Sequence, residues 1–314
     1  MLISAIVCTY NRCESLRDTL RSLDRQLLPH DMTFEIVVVD NGSVDRTNDV
    51  VQEAAREGHW LINYVMEPRL GIAFARNTGL RTARGTYVAF VDDDAVAGPG
   101  WVAAIVRAFE ETGADMVGGR VTPLWLTSRP SWLSEDLMGP IMSSEHGPVR
   151  KRCTTETFLT TNCALKRVSL AQFGMFDESL GRRGERWVGG EDLELCQRWL
   201  RLGAVVLYEP TAVVEHKVSP QRVTPEFYRR WFEDIGYTQA HQLDWKWHYS
   251  FSIVPVWRWG KLLYAGARFG WTRVVPSNET SRLRAEMWWR FQRSFLRERV
   301  DHYRRKTPCH FSQT

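Results

Sequence analysis

The chain has 314 residues, a formal net charge of +4 and 44% hydrophobic residues, an ordinary globular composition that excludes a disordered chain. This length suits one large domain or two smaller ones. There is no run of 18 apolar residues, so no ordinary transmembrane helix is expected, and the six cysteines lack the CxxC spacing of a zinc site.

The front of the chain alternates apolar runs with amphipathic stretches. The apolar runs LISAIVC, FEIVVVD, LINYVME, TYVAFVD and ADMVGGRV predict strands. The stretches SLRDTLRSLDRQ, VDRTNDVVQEAA, IAFARNTGLRTA and WVAAIVRAFEET predict the helices between them. Repeated strand–helix units with apolar strands predict an α/β fold whose mostly parallel sheet is covered by helices on both faces.

The pattern of alternating strands and helices changes at Pro123. Four prolines punctuate the stretch up to Arg152, which predicts a long excursion of the kind that is usually functional. A strand in TFLTTNCAL, a helix in GEDLELCQRWLRLG and a strand in GAVVLYEP follow. From Pro225 onward the pattern is helical and basic. We therefore predict a domain at residues 1–220 and a helical C-terminal region at residues 221–314.

The C-terminal region is basic and rich in tryptophan. Residues 217–314 carry 18 Lys and Arg against 8 Asp and Glu, and they hold 8 of the 14 tryptophans. A helix face is predicted by apolar side chains at four-residue spacing, namely Leu283, Met287, Phe291 and Phe295. This region fits peripheral contact of residues 245–305 with an anionic membrane, or packing on the sheet or a second subunit. Nucleic acid is not expected, because no such motif occurs. The sequence leaves the oligomeric state open.

Polar residues follow three of the predicted strands, in TYNR, DNGS and DDDA. Ligands of open α/β sheets bind outside the carboxyl ends of the strands, so these residues are expected to share one site. Side chains alternate along an extended segment, so Asp92 and Asp94 should point to one side and Asp93 to the other. Two carboxylates on one side predict a site for Mg²⁺ or Mn²⁺. The alternative is a solvated acidic turn or helix cap.

Five other residues each allow two interpretations. Asp40 could accept a nucleobase N–H or belong to an ordinary Asn-Gly turn. Arg76 could lie near a phosphate or base, or on the surface. Glu191 and Asp192 open a helix, where acids are stabilised by the dipole but could also supply a general base. His216 follows an apolar segment and could be structural or could reach the same cation.

Taken together, these residues resemble the family 2 glycosyltransferases of the GT-A (Rossmann-like) fold. The resemblance covers about residues 1–220 and runs in the family's order. It includes TYNR, VVVDNGS, GIAFARNTG, the DxD motif in VDDDA, GGEDLELC and VVEHK. Asn41 is a departure, because many members of the family carry a second Asp there.

The resemblance implies a role for each residue of the site. The catalytic base would be Asp192. Glu191 beside it would contact the acceptor or the sugar. The ligands of Mn²⁺ or Mg²⁺ would be Asp92, Asp94 and His216. The nucleotide-sugar donor would be bound by Thr9, Asn11, Arg12, Asp40, Arg76, Asp92, Asp93 and Asn162, with Asp40 reading the nucleobase.

The implied function is that of an inverting, metal-dependent glycosyltransferase of polysaccharide, glycolipid or glycan assembly. It would move a sugar, with a UDP-sugar as the favoured donor, to a hydroxyl of a glycan or lipid-linked acceptor. The implied location is the cytoplasm, at the inner face of the cytoplasmic membrane. One alternative is a nucleotidyltransferase, but SAIVCTYNR lacks the Gly-rich, Arg- and Lys-bearing signature of that class. The other is an inactive sugar-nucleotide binder, which the complete acid set argues against.

Overall fold

The protein is described here from a computed structural model, which covers residues 2–141, 143–181, 189–242 and 256–306. Its strands are β1 (Leu2–Thr9), β2 (Thr33–Asp40), β3 (Leu61–Met66), β4 (Tyr87–Phe90), β5 (Ala95–Ala97), β6 (Met116–Trp125), β7 (Lys151–Cys153), β8 (Cys163–Lys166) and β9 (Val206–Val218). Its helices are α1 (Cys13–Asp24), α2 (Thr47–Glu57), α3 (Ile72–Thr82), α4 (Trp101–Thr112), α5 (Leu170–Phe173), α6 (Glu191–Arg201), α7 (Pro225–Gln242), α8 (Val256–Val274) and α9 (Glu279–Lys306).

The strands form one mixed sheet in the order β3-β2-β1-β4-β8-β6-β9-β5, with β7 paired to β9. The pairs β1–β2, β1–β4, β2–β3 and β6–β9 are parallel. By contrast, β8 runs antiparallel to both of its neighbours, β4 and β6. The predicted α/β fold with helices around a central sheet is confirmed, and the antiparallel strands are concentrated in its second half.

Both faces of the sheet are apolar, because successive side chains of a strand point to opposite sides. On β1, Ile3 and Val7 belong to one buried cluster while Ile6 belongs to the other. The first cluster also receives the apolar stripe of α1, with Leu16 and Leu20 fully buried. Burial on both faces leaves the strand ends as the place where polar side chains can gather.

Three predicted strands differ from the observed ones. In TFLTTNCAL only Cys163–Lys166 is a strand, and a short 3-10 turn precedes it. The strand predicted in GAVVLYEP continues to Val218, so His216 lies inside β9 rather than after it. The strand predicted in ADMVGGRV runs on through Pro123 to Trp125. The short strands β5 and β7 were not predicted, because three residues carry too little periodicity to be read.

The described residues divide into two compact units. The first comprises 2–126, 141, 143–181 and 191–218, and the second 127–140, 189–190, 219–242 and 256–306. The sequence-based boundary at residue 220 assigned 127–140 to the first domain, whereas these residues cluster with the helical unit.

The second unit is helical. The predicted apolar face of α9 is confirmed, since it is buried at Leu283, Met287, Phe291 and Phe295. In the same unit Trp132 packs edge-on against Tyr228, with 5.0 Å between ring centroids. Within the described part of the chain, none of the helices combines the length and the apolar character needed to cross a bilayer.

Candidate active site at the strand ends

The carboxyl ends of β1 and β2 lie side by side. Thr9 is opposite Asp40 in the register, and the Asn41 N–H donates to the Thr9 carbonyl at 2.9 Å. Asp40 is 2% exposed. Its Oδ1 accepts the Ser43 N–H at 2.8 Å and its Oδ2 accepts the Tyr64 hydroxyl at 2.7 Å. These two bonds fix the carboxylate, and each oxygen keeps a second lone pair for a ligand.

Asn11 joins the loops that follow β1 and β2. Its backbone N–H donates to Ser43 Oγ at 2.9 Å, and its Oδ1 accepts the Val44 N–H at 2.8 Å. Its φ of +52° lies in the left-handed region, which Asn tolerates better than most residues. The contacts within the protein thus make Asn11 a link between loops at the rim of the predicted nucleotide pocket.

The middle aspartate of DDDA is held inside the protein. Asp93 is buried, and it accepts the Thr9 hydroxyl at 2.8 Å and Arg12 Nη1 at 3.0 Å. The same nitrogen donates to Asp94 Oδ2 at 2.8 Å. Burial raises the pKa of Asp93 to about 6, although the Arg12 charge opposes the shift. Thr9, Arg12 and Asp93 therefore form one bonded cluster beneath the strand ends.

The other two aspartates meet a histidine from β9. Ligand atoms of Asp92, Asp94 and His216 all lie within 4.8 Å of one another. The residues come together because β5 pairs antiparallel with β9, which sets Ala95 opposite His216. Asp92 and Asp94 are thus grouped as the sequence predicts, but the cause is a turn, in which the Ala95 N–H donates to the Asp92 carbonyl, and not the alternation of an extended segment.

The donor set of this group fits a divalent cation. His216 Nδ1 lies 3.1 Å from the Ile141 carbonyl oxygen, which can only accept, so Nδ1 carries a proton. In the neutral ring Nε2 is then an acceptor, and it faces another acceptor, Asp94 Oδ1, at 3.1 Å. A divalent cation shared by the two atoms would make this contact favourable, as would a proton on Nε2. A ring N–H bound to a backbone carbonyl is also the usual way in which a metal-binding histidine is oriented.

Arg76 lies between two acidic parts of the site. It is buried, its Nη1 donates to Glu191 Oε1, and its Nη2 lies 3.9 Å from Asp92 Oδ1. Its guanidinium also stacks on Phe176 at 5.6 Å. Arg76 thus connects α3, which carries it, with the start of α6 and with the end of β4. These are its contacts within the protein, and a base or phosphate of the donor stays its predicted ligand.

The two acids that open α6 have different surroundings. Glu191 is buried against Arg76, and its Oε2 has no hydrogen-bond partner among the described residues. Asp192 is partly exposed, and its Oδ1 accepts the Leu193 N–H at 2.8 Å. Desolvation and the neighbouring Glu191 charge raise the pKa of Asp192 to about 7. A carboxyl group with this pKa is suited to proton transfer near neutral pH.

Asn162 lies in the interior rather than at the surface of the site. It is 1% exposed, its Oδ1 accepts the Trp101 indole N–H, and its Nδ2 donates to the carbonyls of Arg120 and Ala212, all at 2.8 Å. These bonds use both N–H groups of the side-chain amide. Asn162 therefore does not belong to the nucleotide-sugar site. Its neighbour Thr161, which sequence reasoning missed, donates its hydroxyl to Asp92 Oδ2.

The departure at Asn41 has a structural reason. Its Nδ2 donates to the carbonyls of Glu67 at 2.9 Å and Arg69 at 2.8 Å, and its Oδ1 accepts the Gly71 N–H at 2.8 Å. The amide thereby ties the loop before α3 to the end of β2. An aspartate has no N–H to give these two carbonyls.

Asn41→Asp is accordingly expected to lower the free energy of unfolding by about 1–3 kcal/mol, because the carboxylate would face two buried carbonyl oxygens. Urea unfolding of the variant measures this loss. The control is Asn48→Asp, which makes the same chemical change at an exposed position of α2. Equal stability of the two variants would show that Asn41 does not hold the loop.

Comparison with known proteins places the chain in a family. The family model "Glycosyl transferase family 2" matches residues 4–173. The chain is 29% identical over 226 residues to a glucosyl-dolichyl phosphate glucuronosyltransferase of Haloferax volcanii, which is 71% of each chain. It is 30% identical over 220 residues to the succinoglycan biosynthesis protein ExoM of Rhizobium meliloti, which is 69% of this chain and 67% of ExoM.

Solved structures share the fold. The mannosyltransferase PcManGT from Pyrobaculum calidifontis, solved with GDP-Man and Mn²⁺, superposes with a TM-score of 0.61 at 20% identity, covering 97% of this chain and 88% of that one. The S. aureus TarS 1-349 structure with UDP-GlcNAc gives 0.53 at 18% identity, with 100% and 95% covered. By its fold and by the extent of the family match, the chain belongs to glycosyl transferase family 2 and is a glycosyltransferase of the GT-A fold.

Proposed function

We propose that the protein is an inverting, metal-dependent glycosyltransferase that moves a sugar from a nucleoside diphosphate donor to a hydroxyl of a glycan or lipid-linked acceptor. One observation carries the proposal: a three-ligand group and a carboxyl group with a pKa of about 7 meet around Arg76. Such a site has both a place for a diphosphate's counter-ion and a base for the acceptor.

Asp92, Asp94 and His216 would hold the cation, either Mn²⁺ or Mg²⁺. A bound divalent cation neutralises the charge that develops on a departing diphosphate. The imidazole nitrogen favours Mn²⁺, because Mg²⁺ prefers an all-oxygen shell that keeps several waters. Thr161 would orient Asp92 through its hydroxyl. Arg12, bonded to Asp94 Oδ2, would keep that carboxylate in place.

Asp192 would take the proton of the acceptor hydroxyl. Attack by this oxygen on the anomeric carbon, from the side opposite the leaving diphosphate, inverts the configuration. Glu191 Oε2 is a buried acceptor with no partner among the described residues, so it is suited to bind a hydroxyl of the sugar or acceptor. Arg76 pairs with Glu191 and offsets its charge beside Asp192.

The nucleotide would lie along the ends of β1 and β2. Asp40, fixed by Tyr64 and Ser43, would accept an N–H of the base, and a UDP-sugar is the favoured donor. Thr9 and Arg12 would act through Asp93, whose position they set. Asn11 would shape the rim of the pocket by joining the two loops.

The proposals for the acceptor and for the location rest on the names of the relatives and on the C-terminal region. One relative is named for a dolichyl phosphate-linked sugar and another for succinoglycan biosynthesis, which supports a glycan or lipid-linked acceptor here. We propose a peripheral location at the inner face of the cytoplasmic membrane. The membrane segment expected from the sequence was 245–305, of which residues 245–255 lie outside the described residues.

Calorimetric titration with UDP, GDP and dTDP, each with Mn²⁺ and then with EDTA, tests the donor site. We expect Mn²⁺-dependent binding of one nucleotide, followed by release of the same nucleoside diphosphate when the sugar nucleotide and an acceptor are supplied. Binding without any release would favour the inactive binder. Pyrophosphate released from a nucleoside triphosphate and a sugar phosphate would favour the nucleotidyltransferase.

A further inference from the structure

The face of α8 that points away from α9 is apolar along its length. Its exposed side chains are Trp257 (51% exposed), Trp259 (43%), Leu263 (72%), Tyr264 (64%), Trp271 (67%) and Val274 (83%). At about 100° per residue these positions, with the glycines and alanine between them, fill an arc of roughly 160°. The arc contains no charged residue. We call these six side chains the α8 face.

The opposite side of α8 is occupied by α9. Ala265 is 1% exposed, and Phe269 stacks on Trp289 with 5.4 Å between ring centroids. Leu262 packs against the cluster that contains Phe295. The helix is therefore anchored by one side, while the six side chains of the α8 face keep 43% or more of their surface exposed. Large exposed apolar patches on a folded protein mark interaction surfaces.

The charges of α8 are all positive. The helix contains Arg258, Lys261, Arg268 and Arg273 and no acidic residue. Lys261 and Arg268 lie along one edge of the α8 face and Arg273 near the other, by the same helical spacing. Lys261 Nζ lies 4.8 Å from the centre of the Trp257 ring, so its stem runs beside the apolar surface. Cations at the edge of an aromatic face are arranged as in helices that lie in a membrane interface.

We infer that α8 is an in-plane anchor that inserts the α8 face into the headgroup boundary of an anionic lipid bilayer. Charge selects this occupant over a second copy of the chain, since two α8 helices packed face to face would bring their cations together without any acid from either helix. A lipid surface supplies both an apolar layer and negative headgroups. The inference concerns an interaction surface and is independent of the transfer reaction.

Vesicle sedimentation of the full chain tests the anchor, with phosphatidylcholine vesicles compared with equal mixtures of phosphatidylcholine and phosphatidylglycerol. The wild type should pellet with the anionic vesicles, and raised salt should weaken the binding. Leu263→Asp combined with Val274→Asp should lower the partition coefficient at least about ten-fold, because two apolar side chains leave the interface. The matched control is Val168→Asp with Leu202→Asp, which has the same net charge and changes side chains that are 70% and 55% exposed in the other unit.

The outcomes separate the possibilities. Lost pelleting in the α8 variant alone supports the anchor, and Lys261→Gln with Arg268→Gln should then reduce the preference for anionic vesicles. Absence of pelleting, or equal losses in the α8 variant and its control, overturns it. A doubled mass in light scattering that the α8 variant abolishes would instead assign the face to a second copy. Nucleotide titration of the same proteins reports the donor site separately, so failure of the anchor cannot be mistaken for failure of the proposed reaction.

Discussion

Asp192→Asn is expected to lower kcat by about 10²–10⁴-fold, the usual effect of losing a general base, while the Kd for the nucleotide changes little. The amide keeps the shape of the side chain and can still accept the Leu193 N–H, so the start of α6 should stay intact. An amide is too weak a base to take a proton from an acceptor hydroxyl. Turnover and calorimetric binding, measured on the same preparation, separate the two effects.

The pH dependence of the transfer rate and of the stability provides a second test of Asp192. A base must be ionised to act, and the pKa of Asp192 is about 7, so the wild-type rate should fall as the pH drops below 7. The pKa of this carboxyl group is higher in the folded than in the unfolded protein, so its ionisation destabilises the fold. The stability is lost as the pH rises from the pKa of the unfolded state to that of the folded state. Asp192→Asn should therefore be more stable than the wild type at pH 8, by roughly 1–3 kcal/mol, and equally stable near pH 4.

The control for Asp192 comes from the same helix turn. Glu194→Gln also removes an acid from the start of α6, but Glu194 is paired with Arg198 at 2.7 Å and does not belong to the proposed site. It should leave the rate and its pH profile unchanged. If Asp192→Asn kept near-normal turnover, or if both variants lost activity equally, the assignment of the base would be wrong.

The regular part of the fold was predictable because its signals are local. The apolar runs of β1 to β4 and the amphipathic faces of α1 to α4 lie within a few residues of each other in the chain. The short strands β5 and β7 are different, since each exists through antiparallel pairing with β9, which is distant in sequence. Such pairing leaves little mark on three residues, so sequence periodicity could not reveal these strands.

The candidate site was predictable in outline from the positions of the strand ends. Polar residues after apolar strands identified Asp40, Asp92 and Asp94, since strand ends of a parallel sheet share an edge. The sequence did not reveal contacts between residues distant in the chain, such as the hydrogen bond from Thr161 to Asp92 and the one from Trp101 to Asn162. Thr161 and Asn162 are adjacent polar residues, yet one bonds Asp92 and the other bonds Trp101. The backbone turn decides which side chain points where, and the residue types alone do not reveal it.

Asp94→Ala is expected to abolish the Mn²⁺-dependent part of nucleotide binding. Asp94 offers one of the three candidate ligand atoms and faces His216 Nε2 at 3.1 Å, so its loss would leave only Asp92 and His216 to hold the cation. Loss of a residue that merely orients a metal ligand costs about 10–100-fold in affinity, and a direct ligand should cost at least as much. The measured quantity is the ratio of the nucleotide Kd in EDTA to that in Mn²⁺, which should fall to about one.

Binding in EDTA provides an internal check, because Asp94 also neutralises a cation. Arg12 Nη1 donates to Asp94 at 2.8 Å and to Asp93 at 3.0 Å, and Asp94→Ala leaves it with Asp93 alone. The site then becomes more positive, so metal-free binding of a diphosphate should hold steady or improve. Asp49→Asn, which removes an exposed acid of α2 lying 3.6 Å from Arg46, should change neither value. A Mn²⁺ effect that survived Asp94→Ala would mean that the cation sits elsewhere, and that the group formed with His216 serves the fold rather than the donor.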